Sequence, residues 1–150
     1  KYPVTLVESD EGWAVWCDSL PGSYSQGATR DEALAHIREA IAEYLAAKAA
    51  EIRGDAAVRS VQHEESGLTN AADPGIGQRD AVRVLEKRGF RVVRQGKHIT
   101  LSNGMVMVQV PRHTTINAYT MGYIARTAGL TPEQFRELLD SRAIPLGLRN

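Results

Sequence analysis

A stretch of 25 residues near the middle of the chain constrains the fold more than any other feature. Residues 54–78, GDAAVRSVQHEESGLTNAADPGIGQ, combine weak hydrophobic periodicity with many small, polar and helix-breaking residues. This composition is typical of a linker, although AVRSV (57–61) also fits an edge strand. Regular patterns lie on both sides, and 150 residues suffice for two small domains. We therefore predict a first half at 1–53, a linker at 54–78 and a second half at 79–150.

The first half has the pattern of three strands followed by one long helix. Strands are predicted over 2–8 and 13–17, on either side of the turn SDEG, and a short third strand over 23–27 follows the turn LPG. Thr29 is a good N-cap with Glu32 at the capping-box position, and apolar residues then keep helical spacing almost to the next glycine. Three strands with a helix across one face form a small α+β unit.

The second half begins with a helix and three strands. Apolar spacing within residues 79–90 predicts a helix that Gly89 is placed to end, and the residues that follow predict strands over 91–95, 98–102 and 105–110. The Asn-Gly pair between the last two strands is the strongest short hairpin signal known. We therefore expect the second and third of these strands to pair as a tight hairpin.

Two helices are predicted after Pro111, which ends the sheet. Thr120 is placed to cap the first helix, and Gly129 to end it. The last helix begins at Thr131-Pro132, with Gln134 at the capping-box position. The fold class predicted for the chain is α+β, with the order β-β-β-α followed by α-β-β-β-α-α.

The net charge of zero hides a division between the halves. Residues 1–77 contain 6 Lys+Arg and 13 Asp+Glu, which gives −7, whereas residues 78–150 contain 12 and 5, which gives +7. Such asymmetry is typical of a basic half that meets a polyanion, of an acidic half that covers it, or of both. A chance division of solvated surface charge is the alternative.

Several classes of protein are excluded by residue usage. Cys17 is the only cysteine, so an internal disulfide and a cysteine-based zinc cluster are both impossible. We expect no metal or cofactor, since no His and carboxylate set has ligand spacing and no glycine-rich phosphate loop is present. No apolar run approaches the ~18 residues that span a bilayer, so we expect no membrane partner. With a single cysteine, the reducing cytoplasm is the expected location.

Both halves resemble known families. The segment RDAVRVLEKRGFRVVRQGKHITLSNG, followed by VPRHTTINAYTMGYIARTAGLTPEQFRELL, resembles the HicA family of mRNA interferase toxins over about 79–140. The segment YPVTLVESDEGWAVWCDSLPGSYSQGATRDEALAHIREAI looks like the HicB family of antitoxins. The chain therefore resembles an antitoxin domain joined to its own toxin by a linker.

The resemblance implies a fold and an activity for each half. HicA proteins are small RNA-cleaving toxins with a fold like a double-stranded-RNA-binding domain, and they use a histidine at the start of the second strand, here His98. HicB N-terminal domains have a partial RNase H-like fold and cover the toxin's active site. HicB proteins usually carry a DNA-binding domain where this chain has its toxin-like half, so DNA binding is not expected.

The residue chemistry at His98 suits metal-independent RNA cleavage. The reaction needs a base for the 2′-hydroxyl proton, an acid for the leaving oxygen and cations near the phosphate. Histidine serves either proton-transfer role at neutral pH, with a typical contribution of ~10²–10⁴-fold. We predict His98 as the catalytic residue, while an idle strand-end histidine is the alternative. A second acid–base residue is not evident, since His113 is expected to be structural and His36 to lie on the surface.

Basic residues crowd the same region and are predicted to bind RNA. Binding of a phosphate backbone depends mainly on charge, for which a solvated helix face is the alternative explanation. The residues assigned to RNA binding are Lys97, Arg94, Arg91, Lys87 and Arg112.

A linker of this length allows the halves to associate within one chain or in a swapped homodimer. If flexible, it spans about 5–6 Å × √25, or ~25–30 Å, and tethering gives an effective concentration of order mM. Trp13 and Trp16 fall on opposite strand faces, so one is expected in a core and the other at an interface. We expect RNA as the partner of an open form. The competing hypothesis is a non-catalytic, decayed fusion that only binds protein or RNA.

Overall fold

The computed structural model describes residues 2–54, 77–113 and 115–140. The first half forms an antiparallel sheet with the strand order β1-β2-β3 and one long helix packed on it. Its elements are β1 (Val4–Ser9), β2 (Gly12–Cys17), β3 (Tyr24–Gly27) and α1 (Arg30–Arg53).

The second half forms another antiparallel three-stranded sheet, with the order β4-β5-β6 and three helices. Its elements are α2 (Gln78–Lys87), β4 (Arg91–Gln95), β5 (His98–Ser102), β6 (Met107–Pro111), α3 (Ala118–Thr127) and α4 (Pro132–Asp140). The predicted α+β class and the order of elements are confirmed. The predicted strand over 57–61 lies outside the described residues, as does most of the predicted linker.

The predicted ends of α1 are confirmed by its hydrogen bonds. The side chain of Thr29 accepts a hydrogen bond from the backbone of Glu32 at 3.1 Å, and the Glu32 carboxylate accepts one from Ala28 N at 2.7 Å. Gly54 ends the helix in the left-handed conformation, with φ of 77°. These local contacts satisfy backbone groups that helix ends leave unpaired.

The start of α3 differs from the prediction. Asn117, not Thr120, is the N-cap, and its Oδ1 accepts a hydrogen bond from Tyr119 N at 2.8 Å. Thr120 is buried inside the helix. Asn is as good a cap as Thr, and the choice is made by the first half, because Gln26 Oε1 accepts from Asn117 N at 2.7 Å.

The β5–β6 connection is also longer than predicted. Ser102 pairs with Met107, so four residues (103–106) form the loop and β6 starts two residues later than expected. The Asn103 side chain accepts hydrogen bonds from the backbone of Met105 and Val106 at 2.9 and 2.8 Å. The Asn side chain thus builds an Asx-type turn, instead of the two-residue turn that Asn-Gly favours.

The two halves share hydrophobic contacts. The main core of the second half includes Tyr24 of β3, and Trp16 of β2 packs against it. The rings of Trp16 and Tyr123 have centroids 4.1 Å apart and are tilted by 37°, so they are in direct contact. Trp13 packs instead on the α1 side of its own sheet. The expectation that one tryptophan packs in a core and the other at an interface is confirmed.

Polar contacts between Gly22 and β6 fix how the halves meet. Gly22 O accepts a hydrogen bond from Gln109 N at 2.8 Å. The Gln109 side chain is fully buried, donates to Ala40 O at 2.8 Å and accepts from Ser23 Oγ at 2.9 Å. Because buried polar groups are costly when unpaired, this network holds α1 and the Leu20–Gly22 turn in one position on β6.

In the ranges that the structure describes, no helix is both long enough and apolar enough to cross a membrane.

Candidate functional site

His98 lies at the start of β5 and is almost completely buried, with 3% of its surface exposed. Its Nε2 is 2.8 Å from Ser25 Oγ of β3. Its Nδ1 is 3.5 Å from Glu43 Oε1 of α1 and makes no hydrogen bond with it. The first half therefore surrounds both ring nitrogens of a second-half histidine.

Burial also sets the charge of the ring. Desolvation lowers the pKa of His98 below its ordinary value of 6.5, and nearby His36 acts in the same direction. The carboxylates of Glu43 and Glu39 oppose this effect by favouring the charged form. Desolvation is the larger cause, so His98 is neutral near pH 7 in this environment.

Glu43 closes the entrance to β5. Its Oε2 accepts a hydrogen bond from Lys97 N at 2.9 Å, and its Oε1 accepts one from His98 N at 3.0 Å. Only 9% of the residue is exposed. A buried carboxylate is tolerated because two backbone donors replace its water.

A cavity of about 160 Å³ lies beside these groups, between the halves. Strand β3 and helix α1 form one wall, while the start of β5, the end of β6 and the two residues after it form the other. The lining residues are Ser25, His36, Glu39, Lys97, His98, Pro111, Arg112 and His113.

Gln26 ties two further histidines to this cavity. His36 Nδ1 is 2.7 Å from Gln26 O, and His113 Nδ1 is 2.9 Å from Gln26 Nε2. The two rings lie 5.9 Å apart. Burial, and secondarily His36, lowers the pKa of His113. The expectation that His36 is a surface residue is wrong, because it is half-buried in the contact between the halves.

The predicted RNA-binding residues are not all close to His98. Lys97 and Arg112 line the cavity, and the Lys97 side chain is 70% exposed, with Nζ 3.5 Å from Glu39 Oε2. Arg94 is exposed on the neighbouring strand, opposite Thr100. Arg91 pairs with Ser102 at the other end of β5.

Lys87 occupies a different kind of position. Its Nζ donates to Leu138 O at 2.9 Å, so it joins α2 to α4. Its contact is structural, whereas Lys97 and Arg112 extend from the rim of the cavity.

Sequence reasoning did not identify Ser25, Gln26 or Glu43. Glu43 carried a signal, because it follows Ala40 by three positions and precedes Ala47 by four on the buried face of α1. A carboxylate on an apolar helical stripe indicates a partner elsewhere. Ser25 and Gln26 belong to a four-residue strand and carried no comparable signal.

The chain is similar to known proteins in two ways. Residues 79–130 match the family described as "HicA toxin of bacterial toxin-antitoxin". The chain is also 41% identical over 46 residues to the UPF0150 protein Ta0767 of Thermoplasma acidophilum. These 46 residues are 30% of this chain and 67% of that protein. No solved structure matches.

Proposed function

Since the chain belongs to the UPF0150 family and carries a HicA toxin domain at residues 79–130, we propose that it is a self-inhibited toxin–antitoxin fusion. The second half is then a metal-independent endoribonuclease with a fold like a double-stranded-RNA-binding domain. The first half is a HicB-like antitoxin domain with a partial RNase H-like fold. The β-β-β-α and α-β-β-β-α-α orders are compatible with both assignments.

The observation that carries this proposal is the burial of His98 by the first half. Ser25 and Glu43 occupy the two sides of the ring, so RNA has no access to it while the halves are joined. An inhibitor is expected to seal the reacting group in this way. The contacts of one chain with itself and those of a swapped homodimer are equivalent at this site, and both fit the proposal.

In the open form, we propose His98 as the general base. Neutral imidazole takes the proton of the 2′-hydroxyl, the 2′-oxygen attacks phosphorus, and the 5′-oxygen leaves with a proton from an acid. His113 lines the same cavity and is a candidate for that acid. Lys97 and Arg112 supply positive charge to the phosphate at the rim, and Arg94 and Arg91 extend the basic surface along β4.

The test is RNA cleavage by the full chain after the halves are separated far from His98. Gly22→Val is suitable, because even a Cβ atom at Gly22 would lie 1.8 Å from Met107 O, at the opposite end of β6 from the cavity. We expect no cleavage by the wild-type chain, cleavage by Gly22→Val, and none by Gly22→Val combined with His98→Ala.

The competing hypothesis is a binding module without catalysis. It predicts that the Gly22→Val variant does not cleave RNA, even at protein concentrations at which it binds RNA. Circular dichroism must show that this variant is folded. That result would remove the nuclease assignment and leave a protein-binding or RNA-binding fusion.

A further inference from the structure

Two backbone N–H groups at the start of β5 point at a single anion. Lys97 N and His98 N donate to different oxygens of the Glu43 carboxylate, at 2.9 and 3.0 Å. Successive backbone donors converging on one negative group form the kind of concavity that binds anions in proteins. Both donors belong to the second half, and the anion comes from the first.

The bend before β5 has space for this anion only because residue 96 is glycine. A Cβ atom at Gly96 would lie 2.7 Å from Glu43 Oε2 and 2.8 Å from the carboxylate carbon. Any other side chain would therefore push the anion away from the two N–H groups. The bend at 96–98 is shaped to the oxygens that it binds.

The Glu43 carboxylate lies on the buried, mainly apolar face of α1. Glu43 lies among the buried residues Ala40, Tyr44 and Ala47 of α1. A buried charge destabilises the fold unless it is paired and hydrogen-bonded. Its charge-assisted hydrogen bonds come from the bend, and the side of His98 closest to it is Nδ1, at 3.5 Å from Oε1. The backbone donors at residues 97 and 98 therefore explain why a carboxylate is present on the buried face of α1.

We propose that the bend at Gly96–His98 is a phosphodiester-binding site, and that Glu43 occupies it in place of an RNA phosphate. The proposal rests on the function proposed above for its choice of ligand. A carboxylate and a phosphodiester each present two terminal oxygens and one negative charge, so the same two N–H groups serve either. The site places the phosphate against the His98 ring and beside Lys97. Inhibition is then competition for one anion site as well as coverage of a surface.

The test measures binding at the two N–H groups themselves. Dimethyl phosphate, a diester that has no 2′-hydroxyl and cannot be cleaved by transesterification, is titrated into the ¹⁵N-labelled full chain. Wild type is compared with Glu43→Ala, Glu43→Gln and Glu39→Ala. Glu39 is the matched control, because it is an acidic residue one turn earlier on α1 that contacts the Lys97 side chain and not the backbone donors.

We expect saturable shifts of the Lys97 and His98 amide signals in Glu43→Ala. Its affinity for dimethyl phosphate should exceed that of wild type and of Glu39→Ala by more than about tenfold. A single hydrogen bond to a charged group changes affinity by at least about this factor. Glu43→Gln should bind more weakly than Glu43→Ala, because its side-chain carbonyl still competes for one donor. This variant also keeps the shape of the side chain, should the alanine variant fail to fold.

Two results would overturn the site. In one, the Lys97 and His98 amides of folded Glu43→Ala or Glu43→Gln do not respond to dimethyl phosphate. In the other, wild type and Glu39→Ala respond as strongly as the Glu43 variants.

The fate of the nuclease assignment is separable from that of the site. Amide shifts in Glu43→Ala without RNA cleavage by Gly22→Val support the anion site and remove the nuclease. RNA cleavage by Gly22→Val without amide shifts in the Glu43 variants removes the anion site and keeps the nuclease.

Discussion

At the scale of single residues, burial decides the protonation of His98. A solvated histidine is partly charged near neutral pH. Here β3 and α1 exclude water from the ring, which lowers its pKa. The carboxylates of Glu43 and Glu39 offset only part of this decrease. The His98 ring is therefore a neutral imidazole in this environment, which is the form that a general base requires.

This burial predicts that stability depends on pH. The unfolded chain binds a proton at His98 below about 6.5, whereas the folded chain binds it only at lower pH. The unfolded state thus holds more protons in that window, so the free energy of unfolding decreases as pH falls from 7.5 through 6.5. The slope from one such histidine is at most about 1.4 kcal/mol per pH unit. His113, whose pKa is lowered too, contributes in the same direction.

The measurement is urea denaturation between pH 7.5 and 5.0 for wild type and His98→Gln. The variant should lose stability with falling pH less steeply, since only the His113 contribution remains of the two. Equal slopes in the two proteins would show that the folded state does not disfavour the charged form of His98.

At the scale of elements, the Leu20–Gly22 turn acts as a contact point between the sheets. Gly22 has φ of 100° and brings its backbone against β6. Only glycine combines this conformation with so close an approach. The turn signal LPG in the sequence therefore reports a long-range contact as well as a local change of direction.

We predict that Gly22→Ala destabilises the protein much more than Gly89→Ala. Both glycines have nearly the same positive φ, 100° and 97°, so both substitutions incur a backbone strain of about 1–3 kcal/mol. Only at Gly22 would the new Cβ also collide, at 1.8 Å from Met107 O, because nothing lies within 4 Å of a Cβ at Gly89. Denaturation midpoints of the two variants measure the difference. Equal losses would mean that the turn does not press on β6.

At the scale of the whole molecule, the halves are not independent. Tyr24 is part of the main core of the second half. Tyr44 and Ala47 of α1 share a smaller cluster with Met107 of β6. The opposite net charges of the halves add an attraction that salt screens.

The shared cores predict a single cooperative unfolding transition. Trp13 packs within the first half and Trp16 lies where that half meets the second, so tryptophan fluorescence reports the first half together with its contact with the second. Amide signals of β5 and β6 in NMR spectra report the other half. In urea the two probes should give coincident midpoints for wild type and separate midpoints for Gly22→Ala. Separate midpoints in wild type would indicate two independent domains joined only by the chain.

The sequence by itself determined the type and order of the helices and strands. Their signals are local: the cap at Thr29, the capping box at Thr131 and Gln134, and the polar–apolar alternation in β5 each depend on a few neighbouring residues. The sequence also put His98 at the start of a strand, because the residues that follow it have a strand pattern. It was wrong at the start of α3, where the distant residue Gln26 intervenes, and in the β5–β6 loop, where the Asn103 side chain forms a longer turn.

Only the tertiary structure decided what surrounds His98. Ser25 is 73 positions away in the chain and Glu43 is 55 positions away, so no local pattern joins them to the ring. Their contact arises from the packing of one sheet and helix on another, where close packing and the pairing of buried polar groups select a single arrangement. That arrangement neutralises the histidine and fills the adjacent anion-binding bend, because desolvation and hydrogen bonding act through space and not along the chain.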